Sequence, residues 1–385
     1  MTGRQLSLRN FLLILAAITV GTIVLLLGAG FVYALIAPAE GKAPLIRLPD
    51  PAVSVKLPRD LAAHQDYLTE WWTIYANVID DADHAYGITM HICKRFPLLR
   101  KLDSMVWHTA LPQPEFIGYY ALANIVERKM ITDERNGMAD NDYRANEETL
   151  EINLTDWRIL QTATGLSLRM QGNNALIHLN LVGDNPPVRQ GQEGYAWRGE
   201  DLPPAYVLSW PRLTVEGSLI FNAAVHPVTG QAWLEREYTS YLPSSRMSSW
   251  DRLVLMLDNH HDLILWDARC GGERRCASIP ATLISPDGLA TQIPADQVQV
   301  NPSESWTSQE TGVKYNIEWQ IKLEAYDAAM IVTAQLPDGE LSYAQGGVHV
   351  WASPVHVAGR WGAQAVQGEG YGEISGLVEP LERRY

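Results

Sequence analysis

Phenylalanine is scarce in this chain of 385 residues: five Phe stand against sixteen Tyr and thirteen Trp, so most of its ring surface carries a polar tip. Basic charge is also short. The formal net charge is -14, which disfavours a nucleic-acid partner. The chain lacks a Gly-rich phosphate loop ahead of a helix, a nucleophile elbow, and any Cys/His pairing at catalytic spacing, which disfavours nucleotide and acyl-transfer chemistry. Low-complexity tracts and long amphipathic helical patterns are missing too. What remains is an apolar supply of 46%, enough for two ordinary domains.

One long apolar run is present. From Phe11 to Ile36 no charge occurs, and 26 helical positions would span roughly 39 Å, more than the roughly 30 Å hydrocarbon core of a bilayer. The run predicts a transmembrane helix over 11–37. The alternative is a cleaved signal peptide ending at Ala37-Pro38-Ala39, but the apolar stretch is about twice the usual length for one. Arg4 and Arg9 precede the run, so residues 1–10 are expected in the cytoplasm and the main domains in the periplasm, on a single-pass inner-membrane protein. Pro38, Pro44, Pro49 and Pro51 then mark residues 38–57 as an extended tether.

Cysteine use suits an exported chain. Cys270-Gly-Gly-Glu-Arg-Arg-Cys276 has a short Gly-containing loop that would close a disulfide at a hairpin tip. The competing reading is a metal pair with His260 and His261, at a spacing that matches no common zinc ribbon. Cys93 sits in a strand-like run and reads as a buried thiol.

Beyond the tether the apolar pattern has period two. Trp71–Ile79 and Tyr86–Phe96 alternate on either side of the turn Asp80-Asp81-Ala82-Asp83-His84, which predicts a hairpin with Gly87, Thr89, His91 and Cys93 on one face. Further short alternating runs follow, separated by Gly, Asn, Asp and Pro. The spacing predicts an all-β chain, a sandwich or barrels, with two barrels in series to use the length. In Gly230–Tyr238 the alternation sets Trp233, Glu235 and Glu237 on one face and Leu234, Arg236 and Tyr238 on the other. A face carrying an indole and two carboxylates must be solvated, paired with Arg, or tuned for proton chemistry.

These motifs together resemble the AttH-like and carotenoid 1,2-hydratase-related family, also called hydroxyneurosporene synthase-like. The matching residues are His64 with Thr69-Glu70-Trp71-Trp72, then Pro211-Arg212-Leu213 with Gly217, then Gly230–Tyr238, then Trp250-Asp251 with Leu255, Leu257 and Asp258, and last Gly368–Glu373 with Gly376. The resemblance implies an all-β fold of two lipocalin-like antiparallel barrels, here 58–240 and 241–385, preceded by the membrane helix. It also implies a pocket for an apolar lipid, isoprenoid or carotenoid ligand, and partnership with a transporter or photosynthetic membrane complex. Two departures stand out: Glu235 occupies the family's Asp position, and Tyr238 its final Trp. The family's late Tyr-Trp-Glu-Gly segment is also poorly matched around Tyr343–Val350.

If the chain is a hydratase, Glu235 is the acid that protonates an alkene, Trp233 faces the developing cation, and Glu237 or Tyr206 orients water. The extra methylene of Glu235 moves its carboxyl by about one bond, enough to disturb proton transfer. The alternative pairs Glu235 and Glu237 with Arg212, Arg236 or another Arg and makes them a join between domains. Ligand-lining candidates are His64, Glu70, Trp71, Trp72, His91 and Tyr206, with His64, Glu70 and His91 meeting as a polar patch or Glu70 buried as a barrel closure. No metal or cofactor is expected.

Overall fold

The computed structural model describes residues 46–375 apart from 97, 100–108, 111–112, 200–201, 241–246, 271–275, 277–279 and 343–348. The apolar run 11–37 and the start of the proline-rich segment lie outside the described residues. Among the described residues no helix is long and apolar enough to cross a membrane, a statement that concerns helices alone.

From the amino end the strands are β1 (Thr69–Asp80), β2 (Ala85–Arg95), the short β3 (Leu98–Leu99) and β4 (Thr109–Ala110), β5 (Glu115–Asn124), β6 (Lys129–Met138), β7 (Tyr143–Ala145), β8 (Glu151–Leu154), β9 (Trp157–Gln161), β10 (Gly165–Gln171), β11 (Ala175–Val182), β12 (Val188–Arg189), β13 (Tyr195–Ala196), β14 (Ala205–Phe221) and β15 (Ala224–Thr239). A second series follows with β16 (Met247–Leu257), β17 (Asp262–Cys270), β18 (Ala281–Ile284), β19 (Ala290–Ile293), β20 (Val298–Thr307), β21 (Lys314–Leu323), β22 (Ala328–Ala334), β23 (Glu340–Ser342), β24 (His349–Trp361) and β25 (Gln364–Ser375). Period-two burial is clean in β11, where Ala175, Ile177, Leu179 and Leu181 turn inward and His178 and Asn180 outward.

Each series is an antiparallel meander that curls until its first strand meets its last: β1 pairs with β15, and β16 with β25. Each ladder also breaks once. The consecutive strands β6 and β7 stand at opposite edges of the first sheet, as β19 and β20 do in the second. The sheets are therefore a near-barrel and a half-barrel rather than the closed cylinders expected. Charge explains one opening: β6 carries Lys129, Asp133, Glu134 and Arg135, and such edges resist further pairing. Side chains bridge that gap instead. Arg135 donates from Nε to Asp156 Oδ1 at 2.9 Å and from NH2 to the Gln171 carbonyl at 2.8 Å, while Asp133 Oδ2 accepts from the Asn173 amide at 2.7 Å. In β20, Pro302 has no N–H to offer and belongs at an edge.

Both interiors are packed. Trp72, Tyr120 and Trp157 are at most 1% exposed in the first sheet's core, as are Tyr315, Trp319 and Trp351 in the second. A separate apolar cluster fills the seam where the two sheets meet, with Tyr75, Val188 and Trp233 from one side and Val254, Ile264, Ala352 and Tyr371 from the other. Tyr75 stacks on Tyr371 with centroids 4.9 Å apart. A second tie sits where a bulge between Trp210 and Leu213 interrupts β14, with Arg212 at φ 55. Arg212 NH2 lies 2.8 Å from Asp262 Oδ1 and donates to the Leu257 carbonyl at 2.7 Å.

The described part of the expected tether, residues 46–57, is irregular but docked. Val55 is buried in the first core, its carbonyl accepts from Arg189 Nε at 2.8 Å, and the Asp50 amide donates to the Tyr206 hydroxyl at 3.0 Å.

Candidate functional site

Register builds the site. In the first sheet the cross-strand partners Ser209, Glu235, Thr73, His91 and Tyr119 form one continuous row over β14, β15, β1, β2 and β5. Cα partners share a face, so this row lies on the outer side of the near-barrel. In the second sheet Trp266, Arg252, Glu373 and Ala352 form a row over β17, β16, β25 and β24. The rows face each other across the seam.

Four donors converge on the Glu235 carboxylate. Trp233 Nε1 donates to Oε1 at 2.6 Å and the Ser209 hydroxyl donates to the same oxygen, while Gln190 Nε2 at 3.2 Å and Arg252 NH2 donate to Oε2. A carboxylate has about four acceptor positions, so Glu235 is fully engaged. Next to it, Glu237 accepts a bidentate pair from Arg198, NH1 to Oε1 at 2.9 Å and NH2 to Oε2 at 2.6 Å. Burial opposes its charge, but Arg198 outweighs burial and holds this carboxyl below the usual range.

At the far end of the row His91 Nε2 lies 2.6 Å from Glu373 Oε2, and Thr73 Oγ1 is 2.9 Å from His91 Nδ1. The Tyr75 hydroxyl donates to Glu373 Oε2 at 2.8 Å. Burial alone would raise Glu373, yet His91, Arg252 and the Tyr75 hydroxyl hold it at about 2. Burial together with Glu373 drives the Tyr75 phenol well above its ordinary value.

A cavity of about 30 Å³ opens beside Glu235 and Arg252, walled by Gln190, Thr282, Gln292 and Trp266, with Trp197 at its rim. That volume suits one or two waters. Trp197 is 54% exposed. The Trp266 ring carries Arg198 at 4.7 Å and Arg252 at 5.7 Å from its centroid.

The other sequence-predicted residues lie elsewhere. His64 and Glu70 do meet, with His64 Nδ1 3.0 Å from Glu70 Oε2, but on the inner side of the first sheet. There Lys94 Nζ donates to Glu70 Oε1 at 2.6 Å and Arg236 donates to Oε2, so Glu70 is a buried closure of the barrel base. His91 does not join that patch, because its strand position turns it to the opposite face. Trp72 points inward and donates to the Leu61 carbonyl at 2.9 Å, with Arg236 4.0 Å above its ring. Trp71 is outward, the cross-strand partner of Glu237 and Cys93. Tyr206 is buried beside Tyr238 and donates to the Asp50 carbonyl at 2.9 Å. Cys270 and Cys276 form a disulfide with Cα atoms 4.9 Å apart, and Cys93 is a buried thiol. Among the described residues no group of three or more His, Cys, Asp or Glu is arranged to hold a metal.

Sequence reasoning missed Arg252, Glu373, Ser209, Gln190 and Arg198. Arg252 and Glu373 adjoin or close two of the motifs quoted above, and that was the available signal.

The description AttH-like matches residues 48–377. No curated protein matches the chain. Among solved structures, an AttH protein of Nitrosomonas europaea superposes with a TM-score of 0.75 at 23% identity, over 87% of this chain and 100% of that one. Kievitone hydratase of Nectria haematococca gives a TM-score of 0.65 at 14% identity, over 88% and 98%. CghA gives 0.53 at 10%, over 87% and 97%. Identities this low establish a shared fold and no more.

Proposed function

Because this chain belongs to the AttH-like family, we propose that it is a ligand-binding protein whose site is the crevice between its two lipocalin-like sheets, not the interior of either. One observation carries this reading: both interiors are packed with buried apolar side chains, Trp and Tyr among them, whereas the seam keeps a cavity lined by Trp266, Arg252 and Glu235. Only a terminal group of a ligand fits in about 30 Å³, so the body lies outward across Trp197 and Trp266. An apolar, lipid or isoprenoid body suits those rings. Glu235, Arg252, Glu237 and Arg198 have a prior role in this reading: they lock the sheets so that the crevice keeps its shape.

The test uses the neutral fluorophore N-phenyl-1-naphthylamine with the full-length protein. Binding should weaken at least fivefold in Trp197→Ala and in Trp266→Ala. Equal binding in both variants overturns the crevice reading.

A second reading, addition of water to an alkene, is favoured by a water-sized cavity beside Glu235 and by the hydratase among its structural neighbours. It requires the ligand to displace Gln190 or Ser209 from Glu235, so that the carboxyl gains room for a proton. Conversion of an acyclic carotenoid such as lycopene, abolished by Glu235→Gln, supports it; no conversion by the wild-type protein removes it for that substrate class. The uncharged stretch Phe11–Ile36, with Arg4 and Arg9 ahead of it, supports an anchored setting with the sheets in the periplasm. Protease digestion of spheroplasts that spares the sheets would count against that setting.

A further inference from the structure

We infer that the group which enters the seam cavity is neutral, a terminal hydroxyl or carbonyl, and that carboxylate or phosphate ligands are rejected. This rests on the reading of the crevice as the binding site and names its ligand class.

Charge balance is the first argument. Arg198 is matched by Glu237 in a bidentate pair and Arg252 by Glu235. Glu373, the cross-strand partner of Arg252, has His91 at 2.6 Å. Both guanidiniums at the cavity are thus already engaged by carboxylates, and an anion entering here gives up its hydration without a cation of its own. The chain's net charge of -14 opposes an anion at longer range.

The uncharged wall of the cavity supplies the second argument. Gln292 Nε2 donates to Thr282 Oγ1 at 2.8 Å, the Thr282 hydroxyl donates to Gln190 Oε1 at 3.4 Å, and Gln190 Nε2 donates to Ser209 Oγ at 2.7 Å. Amides and hydroxyls both donate and accept, and the Thr282 oxygen retains a lone pair beyond its present bonds. A chain of this kind re-forms around a hydroxyl as readily as around water. It offers no fixed cluster of donors such as a carboxylate or phosphate requires.

Size agrees: about 30 Å³ admits one small terminal group in place of one or two waters.

All-trans retinol, retinal and retinoate share one polyene body and differ only in that group, so their binding to the full-length protein at pH 8, read by quenching of tryptophan fluorescence, tests the inference. Retinol and retinal should bind at least tenfold more tightly than retinoate, and Thr282→Val should weaken retinol at least fivefold, by a larger factor than it weakens N-phenyl-1-naphthylamine. Retinoate binding as tightly as retinol, with both weakened by Trp197→Ala, overturns the neutral-group inference and leaves the crevice reading standing. Quenching by all three that is indifferent to Trp197→Ala, or no binding of any, overturns both.

Discussion

Glu235 of the first sheet and Arg252 of the second are joined by a buried, hydrogen-bonded ion pair across the seam, although they belong to separate meanders. The carboxylate that resembles a catalytic acid in sequence is thus a tie between sheets in the unliganded fold. Removing one member of such a pair strands the other charge. Glu235→Gln or Arg252→Met should each cost about 3–5 kcal/mol of stability, while the double variant should lose less than the sum by at least ~1 kcal/mol. A double-mutant cycle in urea checks this; strictly additive losses would show that the two groups are uncoupled.

Asp262 sets a pH dependence of the second tie. Burial lifts its carboxyl from 3.8 to about 6, even with Arg212 beside it. The folded state therefore holds this proton more tightly than the unfolded chain. The resulting stabilisation is complete below the unfolded value near 3.8 and is lost as pH rises through about 6. A gap of this size corresponds to roughly 3 kcal/mol. Asp262→Asn should flatten the stability profile between these values and raise the urea midpoint at pH 7.5 relative to wild type. A variant with the wild-type profile would refute the assignment.

The seam is also tight at a glycine. A Cβ built on Gly87 would fall 2.2 Å from Pro354 Cγ on the facing sheet, and a proline ring has little freedom to yield. Gly87→Ala should destabilise by about 1–3 kcal/mol through overpacking. An unchanged thermal midpoint would mean that the sheets stand further apart.

Glu70 holds two cations at the base of the first barrel. Lys94 and Arg236 both donate to it, and its oxygens also accept the His64 amide at 3.0 and 3.1 Å. Glu70→Gln leaves two buried positive charges without a counter-ion and should cost about 3–5 kcal/mol. Because the site faces inward, away from the crevice, N-phenyl-1-naphthylamine binding to the folded variant should be unchanged; weakened binding would connect Glu70 to the ligand site.

Much of the fold was legible. The hairpin of β1 and β2, the opposed faces of Trp233 and Leu234, and the family kinship all follow from period two and motif order. The openings between β6 and β7 and between β19 and β20 were not, because a meander reads the same whether or not its edges meet. Nor was the fate of His91. Separating His91 from the patch of His64 and Glu70 required knowing that Glu70 and His91 face opposite sides of the first sheet, and that depends on strand register.

By itself, then, the sequence determined the antiparallel strands, their turns and which residues share a face, since these depend on neighbours one or two positions away. Only the tertiary structure decided which face became core and which became seam. Trp233, Glu235 and Glu237 form as plausible an inward set as Leu234, Arg236 and Tyr238 until a second sheet supplies Arg252 opposite Glu235. That complement arises from the docking of two outer faces, a sum of many weak contacts between separate meanders that no local pattern encodes.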